Sequence, residues 1–281
     1  MSKYDLTHAR HDPSHCLCPG LFQSLKRGDR KRGKLDVTYD YGQGESVRFV
    51  GFEPLGADDL RVLQGLVAMA SVSGEQGRGL LLSSEPKTEA GQKLRSLLEL
   101  KWDAIYRDAM VAKGSFRQLA WEIGYKKFGG EQLKAIRISI ERLWTVSVIV
   151  IRGRNREGFR ILSGYRSDDL SGQFFVAINP RLAAAVLGRR PYACINMSEV
   201  RALQTDPARL IHQRLCGWID PGKAGRVELD TICGYVWHNK VTNVKAITKR
   251  RQTARKAISA LVTIGWTVNE YAKGKWKISR P

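Results

Sequence analysis

VTNVKAITKRRQTARKAISALVTIGWTVNEYAKGKWKIS, residues 241–279, is the stretch that decides the fold. Apolar residues recur in it at three- and four-residue intervals, which predicts a helix with one buried face. They are Ile247, Ala254, Ile258, Leu261 and Ile264. Thr248 is the predicted N-cap, because its hydroxyl can accept a hydrogen bond from the first turn. Gly265 is the predicted end of the helix.

A two-stranded hairpin is predicted directly after this helix. Residues 266–272 alternate in the manner of a strand, residues 273–275 read Lys-Gly-Lys and favour a turn, and residues 276–279 form the second strand. A basic helix followed by a hairpin with a basic tip is typical of a winged helix. Such a helix enters a major groove, and such a hairpin lies against phosphates or a minor groove.

The charge of this stretch is one-sided and predicts contact with DNA. Residues 241–281 contain ten Lys and Arg residues against a single acid, Glu270. We expect Arg250, Arg251, Gln252 and Arg255 to read bases, because Arg suits guanine and Gln suits adenine. Phosphate contacts are expected from Lys249 and Lys256. The full predicted contact set of this block is Thr248, Lys249, Arg250, Arg251, Gln252, Thr253, Arg255, Lys256, Lys273 and Lys275.

Composition supports a polyanion as the partner. The chain has 281 residues, a net charge of +20 and a pI near 10.0. Such a field attracts nucleic acid or an anionic membrane. No apolar run is long enough to span a bilayer, and the N-terminus has no apolar signal core, so we expect a cytoplasmic protein. Five cysteines fit reduced thiols better than a disulfide framework.

A second block upstream has a similar predicted order of elements. Ser115 caps a predicted helix, residues 131–144 form a second one, and residues 146–151 and 159–162 form a hairpin around a basic turn. The fold prediction is therefore α+β with two tandem winged-helix domains, residues 1–188 and 189–281, divided near the Gly-Arg-Arg-Pro segment 188–191. Possible DNA contacts in this block are Lys134, Arg137, Arg142, Arg152, Arg154 and Arg156. A purely structural or dimerising role remains open for it.

The N-terminal residues and one glycine-rich segment give weaker signals. His8, His11, His15, Cys16 and Cys18 lie close together, but their spacing matches no usual zinc pattern, so we expect a flexible tail rather than a metal site. A basic run over residues 26–34 follows and is expected at the DNA-facing surface or in an arm beside it. The sequence GWIDPGKA (217–224) has the spacing of a phosphate-binding loop but lacks its final hydroxyl residue.

Several long strings resemble one family. They are RHDPSHCLCPGLF (10–22), LKRGDRKRGKLDVTYDYG (25–42), EPLGADDLRVLQGLVAMA (53–70), HQRLCGWIDPGKAG (212–225), ICGYVW (232–237), RQTARKAI (251–258) and GWTV (265–268). The chain resembles the RepC replication initiators of IncQ-type broad-host-range plasmids. The resemblance implies two winged-helix domains, binding to repeated origin sites (iterons) in double-stranded DNA, and duplex opening. It also implies a separate plasmid-encoded helicase and primase, and possible dimerisation through the N-terminal domain.

Catalysis and cofactors are not expected. A DNA-nicking initiator needs a His-x-His pair, which the five histidines do not contain, and no acidic grouping suggests a two-metal nuclease. The competing function is a transcriptional repressor with tandem winged helices, because it would need the same DNA reading. Directly repeated sites beside an AT-rich segment would favour the initiator.

Overall fold

A computed structural model describes residues 4–26, 28–72, 79–82, 85, 88–96, 109–239 and 241–281. It shows a mixed protein of helices and mostly antiparallel strands. The helices are α1 (Pro13–Leu17), α2 (Asp29–Arg32), α3 (Ala57–Ser71), α4 (Glu89–Ser96), α5 (Phe116–Glu122), α6 (Gly130–Thr145), α7 (Pro180–Val186), α8 (Met197–Ala202), α9 (Asp206–Trp218), α10 (Leu229–Val236) and α11 (Val244–Ala260). Among these, no helix combines the length and the hydrophobicity needed to cross a bilayer.

In the described part of the chain, the strands form five sheets. Their bounds are β1 (His8–His11), β2 (Phe22–Gln23), β3 (Leu35–Gly42), β4 (Glu45–Gly51), β5 (Leu55–Gly56), β6 (Gly79–Leu82), β7 (Ala109–Ser115), β8 (Ser147–Arg152), β9 (Asn155–Arg160), β10 (Leu162–Ser167), β11 (Gln173–Ile178), β12 (Ala193–Asn196), β13 (Ala224–Glu228), β14 (Thr267–Ala272) and β15 (Lys275–Ser279). The sheet orders are β3-β4-β8-β9, β10-β11-β7-β6, β13-β15-β14, β1-β12 and the parallel pair β2-β5.

Helix α3 lies at the centre of the main core. Nearly all its side chains are buried, and it packs against α6, β1 and β7. It starts without a side-chain cap at Gly56, but the Asp59 carboxylate accepts from the Gly56 amide at 2.7 Å. Asp58 and Asp59 occupy its first turn, where negative charge suits the helix dipole.

Most predicted elements are confirmed, with small shifts at their ends. Apolar periodicity also predicts helices over residues 57–70 and 206–218, and these and the predicted helix 131–144 are α3, α9 and α6. Residues 35–41 and 47–52 are predicted to form a hairpin around a glycine turn, and they are β3 and β4. Ser115 caps α5 by accepting from the Gln118 amide at 3.2 Å. A helix is predicted over residues 87–100, and its described part contains α4; most of the loop predicted over residues 71–79 lies outside the described residues.

The expected flexible N-terminal tail is wrong, because these residues pack into the core. Strand β1 pairs with β12 over its whole length, and Asp12 caps α1 by accepting from the Ser14 amide at 3.0 Å. His11, His15 and Cys16 are buried. The strand that fixes the N-terminal residues lies more than 180 residues further along the chain, so no local pattern could reveal their folded structure.

This packing crosses the predicted boundary at residue 188. Strand β1 belongs to the first predicted domain and β12 to the second. Helix α1 packs against α9, and the side-chain Nε2 of Gln213 donates to the Cys16 sulfur at 3.1 Å. The segment 188–191 lies in the connection between α7 and β12. The division into two domains stays a prediction, and these contacts tie the two parts together.

The two helix-helix-hairpin blocks differ in their sheets. In the C-terminal block, β13 pairs with β15 of the hairpin, so the block closes its own three-stranded sheet. In the upstream block, β7 instead joins β6 and β11, and the hairpin β8–β9 extends the strands β4 and β3. The order of elements is therefore shared, and the strand pairing is not.

Candidate nucleic-acid interface

Helix α11 begins five residues earlier than predicted, since its N-cap is Asn243 rather than Thr248. Asn243 is its N-cap, with its side-chain oxygen accepting from the amides of Lys245 at 2.9 Å and Ala246 at 3.3 Å. The predicted cap at Thr248 is wrong, because Thr248 lies one turn inside the helix and is exposed. The additional turn places Lys245 on the helix surface. The C-terminal prediction is confirmed, since Gly265 has φ +88 and follows a 3₁₀ turn at Leu261–Ile264.

The helix presents a polar face to solvent and an apolar face to the core. Ala254, Ala257 and Ile258 are buried, and α11 packs against α9 and α10. The opposite face is an exposed stripe, which we call the outer stripe. It consists of Lys245, Thr248, Lys249, Gln252 and Lys256. The sequence places Lys249, Gln252 and Lys256 opposite the apolar residues of the helix, and this outward position is confirmed.

Three arginines flank the outer stripe, and each is engaged within the protein. Arg251 makes two hydrogen bonds to the Asp230 carboxylate, of 2.7 and 2.6 Å. These hydrogen bonds lower the pKa of Asp230, so the carboxylate keeps its charge. The Arg255 guanidinium lies 3.3 Å from Glu270.

Arg250 is held differently, by donating to the Asn239 carbonyl at 2.6 Å and lying 5.4 Å from the centre of the Trp237 ring. The Thr253 hydroxyl donates to the Lys249 carbonyl at 2.9 Å. Periodicity alone did not reveal Asp230 as a partner of Arg251, because the two residues meet only when α10 packs against α11.

The C-terminal hairpin carries further exposed cations. Its turn is Lys273–Gly274, and the Gly274 amide donates to Glu270 at 2.7 Å. Lys275 lies in β15 rather than in the predicted turn, with its amine 4.0 Å from Glu228. Two cations outside the predicted set, Arg226 and Lys277, sit opposite each other in the β13–β15 register and are exposed. The alternation of β15 could have indicated Lys277.

Helix α6 of the upstream block places its predicted cations in different environments. Lys134 is exposed. Arg137 lies 3.0 Å from Asp169 and stacks over Phe116 at 5.0 Å. Arg142 is only 9% exposed, and it binds Glu53 at 2.7 Å and the buried Asp59 carboxylate. The structure thus gives Arg142 a packing role between α6 and α3, and leaves its guanidinium inaccessible to a duplex.

The hairpin of this block keeps its three predicted contact arginines at the surface. Arg152, Arg154 and Arg156 are exposed around a turn at residues 153–154. The Arg152 guanidinium lies 3.3 Å from Glu45. This turn is shorter than the predicted one, because Arg152 ends β8 and Arg156 belongs to β9.

Within the described residues, one group has side chains close enough to share a metal ion. Glu199, His212 and Cys216 are buried, with their ligand atoms within 4.8 Å of one another. The Glu199 oxygen lies 2.6 Å from His212 Nε2 and also accepts from Trp266 Nε1 at 3.3 Å. Burial opposes protonation of His212, but Cys216 and Glu199 raise its pKa to about 9. The group therefore already has the geometry of a buried ion pair joining α8 to α9.

Comparison with known families decides the identity. The sequence matches the family described as Replication protein C (RepC) over residues 3–281. The chain belongs to the RepC family. This membership confirms the resemblance seen in the sequence and makes the chain a DNA-binding replication initiator of the plasmid type. A search of curated proteins found no match.

Solved structures of RctB share the fold of this RepC chain at low identity. Domains 2 and 3 of RctB match with a TM-score of 0.56 at 11% identity, covering 95% of this chain and 98% of that one. A second RctB structure, residues 155–483, matches with a TM-score of 0.51 at 11% identity, covering 91% and 93%. The Pi initiator protein in complex with iteron DNA aligns with a TM-score of 0.37 at 12% identity, covering 79% and 89%.

Proposed function

We propose that this RepC chain binds directly repeated sites (iterons) at a plasmid replication origin and opens the adjacent duplex. The helicase and the primase are then supplied as separate plasmid-encoded proteins. Family membership supports the initiator role. The observation that carries the DNA-reading part is the outer stripe of α11, which is exposed, polar and free of acidic residues.

The C-terminal block, residues 227–279, acts in this proposal as a winged helix that reads sequence. Helix α11 enters the major groove, where Gln252 and the arginines Arg250, Arg251 and Arg255 contact base edges. Lys249 and Lys256 neutralise phosphates, and Lys273 and Lys275 do so from the hairpin. Asp230 and Glu270 hold two of these arginines at fixed positions before DNA arrives.

The upstream block, residues 115–162, serves as a second winged helix that grips the backbone or dimerises. Lys134, Arg137 and the hairpin residues Arg152, Arg154 and Arg156 supply its phosphate contacts. Arg142 is left out of this set, because its ion pairs with Glu53 and Asp59 bury it. Backbone contacts add affinity and register, and base contacts add sequence preference.

Footprinting with permanganate probing on the cognate origin tests this function. We expect protection over directly repeated sites and reactive, unpaired thymines in the neighbouring AT-rich segment. A transcriptional repressor with the same DNA reading would protect its sites and leave every thymine paired. Protection without any opening, under conditions in which the plasmid replicates, would therefore overturn the initiator proposal in favour of the repressor.

A further inference from the structure

The basic run near the N-terminus is folded and anchored through one of its arginines. Arg30 donates to the Pro54 carbonyl at 3.0 Å and to the carboxylates of Asp58 at 2.7 Å and Asp59 at 2.8 Å. These bonds fix the short helix α2 against the start of α3. The neighbouring cations of the run remain exposed. They are Lys26, Lys31, Arg32 and Lys34.

This run belongs spatially to the C-terminal block, although it lies more than 200 residues away in sequence. The Ser24 amide donates to the Val236 carbonyl at the end of α10, at 2.9 Å. Gly20 has φ +78 and lies so close to His238 that a Cβ atom would come within 2.6 Å of the ring. The N-terminal segment is therefore docked on the connection between α10 and α11.

A groove of about 440 Å³ separates the basic run from the start of α11. Lys26, Arg32 and Lys34 line one side, and His238 and Arg250 line the other. Two acids also line it, and both are engaged. Asp29 accepts from the Lys26 amide at 2.8 Å, and Asp36 binds Arg48 through two hydrogen bonds of 2.7 and 2.5 Å. Cations therefore dominate the groove.

We propose that this groove holds the sugar-phosphate backbone of the DNA that flanks the segment read by α11. Arg32 and Lys34 neutralise phosphates there, and Arg250 stands where the groove meets the reading helix. The inference rests on the proposed function, since it places the same DNA molecule. It follows that the basic run near the N-terminus binds the same DNA as the C-terminal block. The contacted DNA site then extends beyond the bases that α11 reads.

The test replaces Arg32 and Lys34 together by Ala and measures iteron affinity against salt concentration. Each phosphate contact contributes about 0.9 to the log–log slope. We therefore expect the slope to fall by roughly 1.8 and the affinity at 0.1 M salt to fall by about 60-fold, relative to equal binding at 1 M salt. Phosphate ethylation should interfere with wild-type binding on the flank, and this flanking interference should disappear in the variant. The preference for iteron over scrambled DNA should persist.

The matched control replaces Lys113 and Arg166 by Ala. These exposed cations lie in the sheet β10-β11-β7-β6, so the control removes the same charge away from the groove. If the Arg32/Lys34 variant keeps the wild-type slope and flanking interference, while wild type still prefers the iteron, the groove proposal is overturned and the proposed function stands. If wild type shows no preference for the iteron, both are overturned. Thermal unfolding of each variant verifies that it is folded.

Discussion

At the scale of single residues, the pair formed by Asp230 and Arg251 has the clearest functional consequence. The carboxylate fixes the guanidinium through two hydrogen bonds at the edge of the outer stripe. An arginine held in this way loses less conformational freedom when it meets a base, which favours the matching site over others. We therefore expect Asp230 to position Arg251 for DNA reading.

Replacing Asp230 by Asn tests this role. We expect tighter binding to random DNA, because one negative charge is removed beside the duplex, and a lower iteron-to-random ratio, because Arg251 is released. Thermal unfolding should be unchanged, since the pair is exposed. Asp206→Asn is the control, as it removes an exposed acid paired with Arg209 on α9. An unchanged ratio in Asp230→Asn would contradict the positioning role of Asp230.

Buried histidines predict how stability depends on pH. The pKa of His212 is raised to about 9, so its contribution is complete below its unfolded pKa of about 6.5 and is lost as the pH rises toward 9. Burial lowers the pKa of His11 to about 3 and of His15 to about 4, so their contribution is present above about 6.5 and is lost on acidification.

The free energy of unfolding, measured by chemical denaturation from pH 4 to pH 9, should therefore be largest at about pH 6.5. His212→Gln should flatten the alkaline decline and leave the acidic decline in place. His238→Gln, at an exposed position beside the basic groove, is the control and should keep the wild-type profile. An alkaline decline that survives in His212→Gln would assign it to other groups.

At the scale of secondary structure elements, the ion pair between α6 and α3 holds the upstream block in place. Arg142→Ala leaves the fully buried Asp59 without one of its two arginines. Breaking a buried pair from one side costs about 3–5 kcal/mol, and Arg30 should reduce this toward the lower end. Denaturant unfolding measures it. Lys134→Ala, an exposed change on the same helix, should have little effect. A stable Arg142→Ala protein with weakened DNA binding would contradict the packing role.

The glycine that ends the C-terminal helical segment gives a second prediction at this scale. Gly265 has φ +88, and a Cβ there would meet no atom within 4 Å, so only backbone strain opposes Ala. Gly265→Ala should destabilise the protein by about 1–2 kcal/mol. Gly234 lies inside α10, also in open space, and Gly234→Ala should instead stabilise by about 0.5–1 kcal/mol. If the two substitutions change the free energy of unfolding in opposite directions, the left-handed cap at Gly265 is confirmed. If both change it in the same direction, the cap is contradicted.

Local sequence patterns predicted most of the helices and strands. The features that these patterns missed depend on contacts between residues that are distant in the sequence. The apolar spacing around Ile258 located α11, and Gly265 located its end, because both signals are contained within a few residues. The start of α11 was missed because Asn243 and Thr248 are both good N-caps, and the choice depends on how the preceding turn packs. His11 is buried because β1 pairs with β12, and Arg142 is buried because it binds Asp59 in α3. Both partners are distant in the sequence, so a short segment around either residue could not predict its position.

At the scale of the whole molecule, the two predicted domains share structure across residue 188. The β1–β12 pairing and the contact of α1 with α9 join the N-terminal segment to the C-terminal half. We expect calorimetry of the full chain to show one cooperative transition. Residues 189–281 alone should unfold at a clearly lower temperature, because β12 and α9 lose those partners. Two separate transitions, with the isolated half melting at one of them, would show that the halves fold independently.

The central claim is that α11 reads the iteron, and one competition experiment tests it most directly. Iteron and scrambled duplexes compete at one fixed salt concentration for wild type and for Ala variants at Arg250, Arg251, Gln252, Arg255, Lys249 and Lys256. Each good contact between a side chain and a base discriminates by about 1–3 kcal/mol. The first four variants should therefore have an iteron-to-scrambled affinity ratio about 5- to 150-fold lower than wild type, while their affinity for scrambled DNA stays the same. The two lysine variants should lower both affinities together. An unchanged specificity ratio in all six variants would contradict the account and move base reading to another element, with α6 as the first alternative.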